Sequence, residues 1–194
     1  MKYNLSEITA VIKDRRTVFP ENFSDRKVHE EIIKDILVNA SWAPNHGMTQ
    51  PWRFKVYTEN GLTLLSDEIS SLYKKLTPEE NFKEVKFNKL KKRPLLTSAV
   101  VVVSMKRDPR RKIREIEEIE AVACAIQNMY LTATAYGIGT FWSSPAFIYT
   151  QEFNEFLNLE EEDRCLGLIY LGYPKDEWPK SYRKPLEHIT EWIK

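Results

Sequence analysis

The amino-acid sequence predicts one α+β domain, or a three-layer α/β sandwich, in which helices cover buried strands. Several segments have apolar residues at helical spacing, and two others are continuous apolar runs of strand length. These helices and strands alternate without regular βαβ spacing, which favours those two architectures. With 194 residues, 42% of them hydrophobic, residues 1–194 are expected to form a single domain with its own core.

The first half of the chain contains four helical segments and two strand segments. The helical segments are residues 6–15, 27–42, 61–76 and, with a charged and weaker pattern, 79–93. The strand segments are residues 53–57 and 98–105, and the second contains four consecutive valines, which is typical of a strand buried on both faces. Ser6 is suited to cap the first helix, and Pro44 stops the second.

The second half begins with the longest predicted helix, residues 116–136. It is apolar nearly all round after Glu120, as expected for a helix buried in a core or a subunit interface. Gly137 is suited to end it as a left-handed cap. The segments that follow are a short strand toward Phe141, a helix at 150–157 capped by Thr150, a buried strand at 165–173, and a tail from Pro174 that is expected to lie over a surface.

Composition narrows the class of function. A net charge of +1 gives no general electrostatic reason to bind nucleic acid or an anionic membrane. The first 16 residues carry charges throughout, unlike a signal peptide, and no long apolar run predicts a transmembrane helix. Cys124 and Cys165 form no CxxC motif, so we expect buried packing thiols and a cytoplasmic location. No metal site is predicted, because no His, Cys and Asp residues have metal-ligand spacing.

Two basic pairs and one loop are the first candidates for a ligand site. Residues 43–52 form a shaped loop between a helix and a strand, with two prolines, a Gly and an Asn. Arg15-Arg16-Thr17 can hold a phosphate through guanidinium and hydroxyl donors, or its cations can simply complement the dipole of the helix that they end. Arg183-Lys184 can add donors to the same phosphate or belong to a solvated tail.

A third candidate stands at the end of a strand. Gly137-Ile138-Gly139 follows a helix and precedes a strand, so we interpret these glycines as a cap and a turn rather than a phosphate loop. Trp142-Ser143-Ser144 comes next, where polar groups and bare amides can face a ligand edge. No residue set suggests nucleophilic catalysis, which fits a protein whose cofactor performs the chemistry and fits a non-enzyme equally well.

Taken in order, these motifs resemble those of the FMN-dependent nitroreductase family, in its shorter branch. The matching stretches are Arg15-Arg16-Thr17, Ala43-Pro44-Asn45-His46 with Gln50-Pro51-Trp52-Arg53-Phe54, Gly137-Ile138-Gly139 with Trp142-Ser143-Ser144, Leu171-Gly172-Tyr173-Pro174 and Arg183-Lys184-Pro185. Each motif alone is weak, but five in the same order over nearly the whole chain make the resemblance specific.

The resemblance implies a three-layer α/β/α sandwich with a central, mostly antiparallel sheet, in an interlocked homodimer with FMN at the subunit interface. The C-terminal tail, about residues 174–194, would pack on the partner subunit. The residues implied to bind phosphate and ribityl are Arg15, Arg16, Thr17 and Arg183. The residues implied to reach the flavin from the partner's loop are Trp42, Pro44, Asn45, His46 and Gln50. The residues implied to lie against the ring near N5 are Trp142, Ser143 and Ser144.

The activity implied by the resemblance is a ping-pong transfer of a hydride from NAD(P)H through FMN to a nitroaromatic, a quinone or a similar small oxidant. Flavin N5 would carry the chemistry, so no side chain is assigned a catalytic role. One alternative is a flavin-binding protein without fast turnover, which serves as a cofactor store or sensor. Another alternative is a dimeric ligand-binding scaffold.

One residue departs from the family pattern, and one segment is unusually basic. Many members carry Arg or Lys near flavin N1 where this chain has Phe19, and Arg53 is the candidate replacement because a cation favours reduced flavin. Residues 83–114 carry twelve Lys or Arg against two acids. This segment is either solvated surface or two basic clusters that the intervening strand brings together to steer an anionic nicotinamide cofactor.

Overall fold

The computed structural model describes residues 2–194, which contain six α-helices and four β-strands. The helices are α1 (Leu5–Asp14), α2 (Glu30–Ala40), α3 (Asn60–Leu76), α4 (Glu84–Lys92), α5 (Glu115–Ala135) and α6 (Gln151–Leu157). The strands are β1 (Trp52–Tyr57), β2 (Ala99–Met105), β3 (Gly139–Ser143) and β4 (Arg164–Gly172). Within this described part of the chain, no helix is both long and apolar enough to cross a membrane.

The four strands form one sheet in the order β1-β2-β4-β3, and all neighbouring pairs are antiparallel. β2 lies inside the sheet and all seven of its residues are buried, so the predicted doubly buried strand is confirmed. Because the strands are antiparallel, the start of β1, the end of β2, the start of β4 and the end of β3 lie at the same end of the sheet.

Helices cover both faces of this sheet. α2 and α5 pack on one face, against Val101 and Val103 of β2, whereas α3, α4 and α6 pack on the other face, against Val100 and Val102. Successive side chains of a strand point to opposite faces, so the valine run of β2 supplies both cores. The three-layer α/β/α arrangement with an antiparallel sheet is therefore confirmed.

Several helix boundaries differ from the sequence-based prediction, and α4 differs most at its start, which is Glu84 rather than residue 79 because residues 79–81 form a separate 3-10 turn. α1 begins at Leu5, because the side chain of Asn4, not Ser6, caps it: Asn4 Oδ1 accepts a hydrogen bond from the Ser6 N–H at 3.0 Å. α2 is shorter at both ends than residues 27–42. Its start is delayed because the Val28 N–H donates to Ser98 Oγ at 3.1 Å, which ties that segment to the approach of β2.

One face of the long helix α5 is buried in the core, whereas its other face, which carries Cys124 and Gln127, is exposed in one chain, so burial of that face in a subunit interface stays a prediction. The end of α5 has the expected geometry. Gly137 has φ of 70°, and the Ile138 N–H donates to the Ala133 carbonyl at 2.8 Å. The expectation for the two cysteines is half right. Cys165 is buried, whereas Cys124 is exposed because it lies on the side of α5 that faces away from the sheet.

The basic residues of the 83–114 segment form two clusters, one on α4 before β2 and one that follows β2. The ion pairs of the second cluster are Lys106–Glu160, Arg107–Glu118, Arg110–Asp108 and Arg111–Glu162. Nearby carboxylates thus neutralise most of the charge of the second cluster, and the expectation that β2 brings the two clusters together to steer an anionic cofactor stays a prediction.

Helix α1 and the C-terminal tail are the least covered parts of the molecule. The tail is fastened to the end of α1, where the Trp178 indole N–H donates to the Asp14 carbonyl and Arg16 Nε donates to the Pro179 carbonyl at 2.8 Å. Large apolar side chains that stay mostly exposed here are Leu5, Ile8, Ile12, Leu186, Ile189, Trp192 and Ile193. Clustered apolar exposure of this kind marks an interaction surface.

The buried ion pair between Arg107 and Glu118 generates a stability prediction. The Glu118 side chain is fully buried, and its Oε1 also accepts the Asp108 N–H at 3.1 Å. Glu118→Ala leaves the Arg107 charge buried without its partner, so the free energy of unfolding should fall by about 3–5 kcal/mol. Urea denaturation followed by circular dichroism measures this change. Lys34→Ala, which removes two exposed ion pairs with Glu30 and Glu31, is the control and should change little; equal midpoints for the two variants would contradict the prediction.

Candidate active site

A cavity of about 320 Å³ lies beside β3, where the segment after α1 passes it. Thr17 and Thr140 form a parallel bridge, and the Val18 N–H donates to the Thr140 carbonyl at 2.9 Å. The N-terminal segment is thus held along the edge of β3 like a short extra strand. The cavity is lined by Arg15, Thr17, Ala123, Gln127, Tyr130, Trp142 and Ser144.

This cavity brings together four of the residues that the sequence singled out, namely Arg15, Thr17, Trp142 and Ser144. Ser143, the last residue of β3, pairs with Leu168 next to it. Three lining residues on α5 were missed, because their helical spacing was interpreted as core packing. Gln127 was the available signal, since it is a polar residue within an otherwise apolar stretch of that helix.

Tyr130 and Arg15 form a stacked pair in the wall of the cavity. The guanidinium carbon of Arg15 lies 5.3 Å from the centroid of the Tyr130 ring, within the range of a cation–π contact. Burial raises the pKa of Tyr130, although hydrogen bonding to the Trp142 backbone and to the Thr140 hydroxyl opposes the rise. Its phenol therefore stays neutral at physiological pH and can donate or accept a hydrogen bond.

The other two predicted phosphate-binding arginines lie outside this cavity. Arg16 points toward the C-terminal tail, and besides Pro179 its guanidinium donates to the Arg15 carbonyl at 2.9 Å. Arg183 is exposed and donates to Ser181 Oγ at 2.6 Å and to the Tyr182 carbonyl at 2.8 Å. Of the three arginines, a single chain thus brings Arg15 alone to the cavity.

The loop that carries Trp42, Pro44, Asn45, His46 and Gln50 lies at the opposite edge of the sheet. It leads into β1, and β1 and β3 are the two edge strands, about 14 Å apart across three strand spacings. His46 Nδ1 lies 2.9 Å from Glu117 Oε2, near the start of α5. Gln127 of the cavity is about 15 Å further along that helix. One chain therefore does not bring this loop and the cavity together.

This loop has a strained backbone that side chains hold in place. Met48 and Gln50 have positive φ of 54° and 45°, which is uncommon for residues with a side chain. Asn45 Oδ1 accepts the Gln50 N–H at 3.0 Å, and Arg53 donates to the Gln50 carbonyl at 3.0 Å. Trp42 and Met48 remain 81% and 73% exposed. Backbone strain together with large exposed apolar side chains is typical of a segment that meets a ligand or another chain.

Within one chain the cation beside Phe19 is Arg93, and the role of Arg53 near flavin N1 stays a prediction. Arg53 lies on β1, at the far edge of the sheet, and its guanidinium donates to carbonyls of the loop. Phe19 instead packs on Phe141, with ring centroids 5.0 Å apart. The guanidinium carbon of Arg93 lies 5.7 Å and 4.9 Å from these two rings, and its Nε donates to Glu21 at 2.9 Å. Arg93 is thus the cation that accompanies Phe19.

Fold and cavity together define a class of protein, an α/β/α sandwich with a cation, hydroxyls and aromatic rings around a cavity at the edge of an antiparallel sheet. The chain belongs to the nitroreductase family, because the sequence model of that family matches residues 12–173. The resemblance found in the motifs is therefore confirmed. Among residues 2–194, no group of three or more His, Cys, Asp or Glu residues could hold a metal ion.

Individual relatives match the chain over nearly its full length. YfhC of Bacillus subtilis (strain 168), which carries the name of an NAD(P)H nitroreductase, is 31% identical over 188 residues, 96% of this chain and 94% of that protein. A nitroreductase-like family protein from Bacillus cereus has a crystal structure with TM-score 0.81 at 32% identity, covering 100% of this chain and 98% of that one. The FMN-dependent nitroreductase NfnB from Mycobacterium smegmatis, solved with NADPH, has TM-score 0.74 at 18% identity over 97% and 99% of the chains, a likeness of fold alone.

Proposed function

We propose that this protein is an FMN-dependent oxidoreductase that takes a hydride from NAD(P)H and passes it to a nitroaromatic, a quinone or a similar small oxidant in a ping-pong cycle. The observation that carries the proposal is the cavity in which Arg15 meets the hydroxyls of Thr17 and Ser144 beside Trp142. Bound FMN would supply the redox chemistry, and the protein would bind it, orient it and keep water from it. Membership of the nitroreductase family, and the names of the relatives, support this function.

The groups around the cavity fit a phosphate monoester, a polyol and a planar ring. Among the described residues the Arg15 guanidinium has no hydrogen-bonding or ionic partner, so its charge is available to a phosphate. The hydroxyls of Thr17 and Ser144 and the amide of Gln127 suit a hydroxylated chain. Trp142 and Tyr130 offer aromatic surface to a ring. Arg16 and Arg183 are engaged elsewhere in one chain, so their proposed part in binding the phosphate requires that the guanidiniums leave these contacts when FMN binds.

We also propose a homodimer in which each cavity is completed by the partner. The loop residues Trp42, Pro44, Asn45, His46 and Gln50 would cover the partner's flavin, because in one chain they lie at the other edge of the sheet. Residues 174–194 would pack on the partner, which gives the exposed apolar side chains of the tail and α1 a surface to cover. A cytoplasmic location, where NAD(P)H is available, stays a prediction.

A second candidate function is a flavin store or sensor without fast turnover. Phe19 favours it, because this position lacks the cation that many family members carry. Anaerobic titration with NADH or NADPH, followed by addition of a nitroaromatic, separates the two candidates. A reductase reoxidises within seconds, whereas a store stays reduced. A colourless protein that takes up no flavin would instead indicate a ligand-binding scaffold.

The first prediction concerns the identity and anchoring of the cofactor. The purified protein should be yellow and should release FMN, not FAD, on heating. Arg15→Ala removes a charge-assisted contact worth about 1.5–3 kcal/mol, so the Kd for FMN should rise about tenfold or more. Arg26→Ala is the matched control, because Arg26 stacks 3.8 Å from the Tyr173 ring and does not line the cavity. FAD in the supernatant, or an unchanged Kd for Arg15→Ala, would contradict the prediction.

The second prediction concerns assembly. In sedimentation at micromolar concentration, the flavin-loaded protein should behave as a dimer. Truncation after Lys180, which retains the Arg16–Pro179 contact, should weaken the dimer and release FMN, because the tail would no longer cover the partner. A stable monomer that keeps its FMN would show the proposed assembly to be wrong.

The third prediction concerns the charge beside Phe19. Arg93 packs on Phe141, which belongs to the core on the other face of the sheet from Tyr130, and it does not line the cavity. Arg93→Gln should therefore leave the two-electron potential of bound FMN nearly unchanged, which spectroelectrochemical titration measures. A fall of about 30 mV, equivalent to a tenfold loss of affinity for reduced relative to oxidised FMN, would contradict this and show that Arg93 supplies the cation that Phe19 replaces.

A further inference from the structure

The Nε1–Cδ1 edge of the Trp142 indole lies close over Gly167, near the start of β4. A Cβ added to Gly167 would lie 2.2 Å from Trp142 Nε1 and 2.6 Å from its Cδ1, too close for any side chain. Gly167 also has φ of 149°, a conformation that residues with a Cβ rarely adopt. Both the space above this residue and its backbone angle therefore require glycine while the indole stays where it is.

A β-bulge in β4 leaves a backbone carbonyl free to accept a hydrogen bond from the indole. The register between β2 and β4 shifts so that Val103 faces Gly167 whereas Ser104 faces Cys165, which leaves Leu166 as the extra residue. On its other side, β4 pairs with β3 only from Leu168 onward. The Leu166 carbonyl is thus free of the ladder with β3 and accepts the Trp142 indole N–H at 2.9 Å.

These contacts fix the orientation of a side chain in the cavity wall. Trp142 is 38% exposed, so one part of the indole rests on β4 while another part borders the cavity. An exposed Trp without such support would sample several rotamers, and a ligand would have to immobilise it on binding. Gly167 and the Leu166 carbonyl remove that freedom before any ligand arrives.

We infer that Gly167 is a positioning residue that holds the Trp142 indole as a preformed wall against which the planar ring of the cofactor packs. This inference rests on the proposed function, because the ring is that of the proposed FMN. Gly167 itself does not line the cavity. It acts through Trp142, so its effect on binding should vanish when the indole is absent.

A double-mutant cycle tests this dependence. The variants are Gly167→Ala, Trp142→Ala and the double variant, and the measurements are the Kd for FMN and the fluorescence of bound FMN, which a stacked indole quenches. Gly167→Ala should raise the Kd about tenfold and increase the fluorescence of bound FMN. In the Trp142→Ala background the same substitution should change the Kd by less than about twofold, because no indole remains to be displaced. The double variant removes the contact with the indole but keeps the φ of 149° and the 3.0 Å approach of the added Cβ to the Ser143 carbonyl. Its thermal stability relative to Trp142→Ala therefore reports the backbone strain separately, and its Kd still shows whether Gly167 affects FMN binding without the indole if Gly167→Ala alone folds poorly.

The controls separate the inference from the proposed function. Gly61→Ala is the matched glycine control, since a Cβ there would make only ordinary contacts at 3.7 Å, and FMN binding should not change. An equal loss of affinity from Gly167→Ala with and without Trp142 would overturn the inference, because Gly167 would then serve only the strand. A Gly167→Ala protein that binds FMN with wild-type affinity and quenches FMN fluorescence to the wild-type level would also overturn the inference. Failure of the wild-type protein to bind FMN is a different result, which overturns the proposed function together with the stacking.

Discussion

Burial of β2 between two helical layers is the constraint on which the other elements depend. Each valine of its central run loses contact with water, and full burial of such a side chain is worth about 1.5–3 kcal/mol. Because the strand is inside the sheet, it also fixes the positions of β1 and β4 through its hydrogen bonds. β4 in turn carries β3, whose edge forms one wall of the cavity. The β3 wall of the cavity is thus positioned through a series of strand pairings that starts at β2 in the core.

The cavity combines a rigid part with a part held by fewer contacts. Thr17 is placed by its bridge to β3, and the next residue, Val18, is buried in the core. Trp142 and Ser144 are placed by the end of the same strand, and Tyr130 by a helix packed on the sheet. Arg15 has no such anchor beyond its stack on Tyr130. This arrangement suits a site in which rigid elements set the geometry and one cation without a hydrogen-bonded partner in the described part of the chain meets a charged group.

Local patterns in the sequence predicted the fold well where the cause is local. The valine run indicated β2, and Gly137 indicated the end of α5. Both features depend on the types of only a few adjacent residues, since a doubly buried strand requires consecutive apolar residues and a left-handed cap favours glycine. The cap of α1 was misassigned because Asn4 and Ser6 are equally suitable by residue type. Arg15, Thr17, Trp142 and Ser144 were found because they belong to family motifs.

The features that the sequence did not predict depend on contacts between segments that are far apart along the chain. Tyr130 follows the periodicity of a core helix and Gln127 is an exposed polar residue beside that stripe, and only the passage of residues 15–17 next to them creates a cavity there. The pairing of Arg93 with Phe19 joins the end of α4 to the segment after α1, which no spacing reveals. The charge of the second basic cluster depends on distant partners as well, since carboxylates that pair with it, such as Glu160 and Glu162, come from the turn before β4.

The two edges of the sheet have consequences for how the chain avoids aggregation. An edge strand offers unpaired backbone groups to any other strand, including one from a second unfolded or folding chain. At the β3 edge, Thr17 and Val18 already occupy part of this position. At the β1 edge, Arg53 and Lys55 stay exposed on alternate positions of a short strand. Two like charges so close together repel a second copy of the same strand, so β1 resists edge-to-edge stacking without a covering segment of its own.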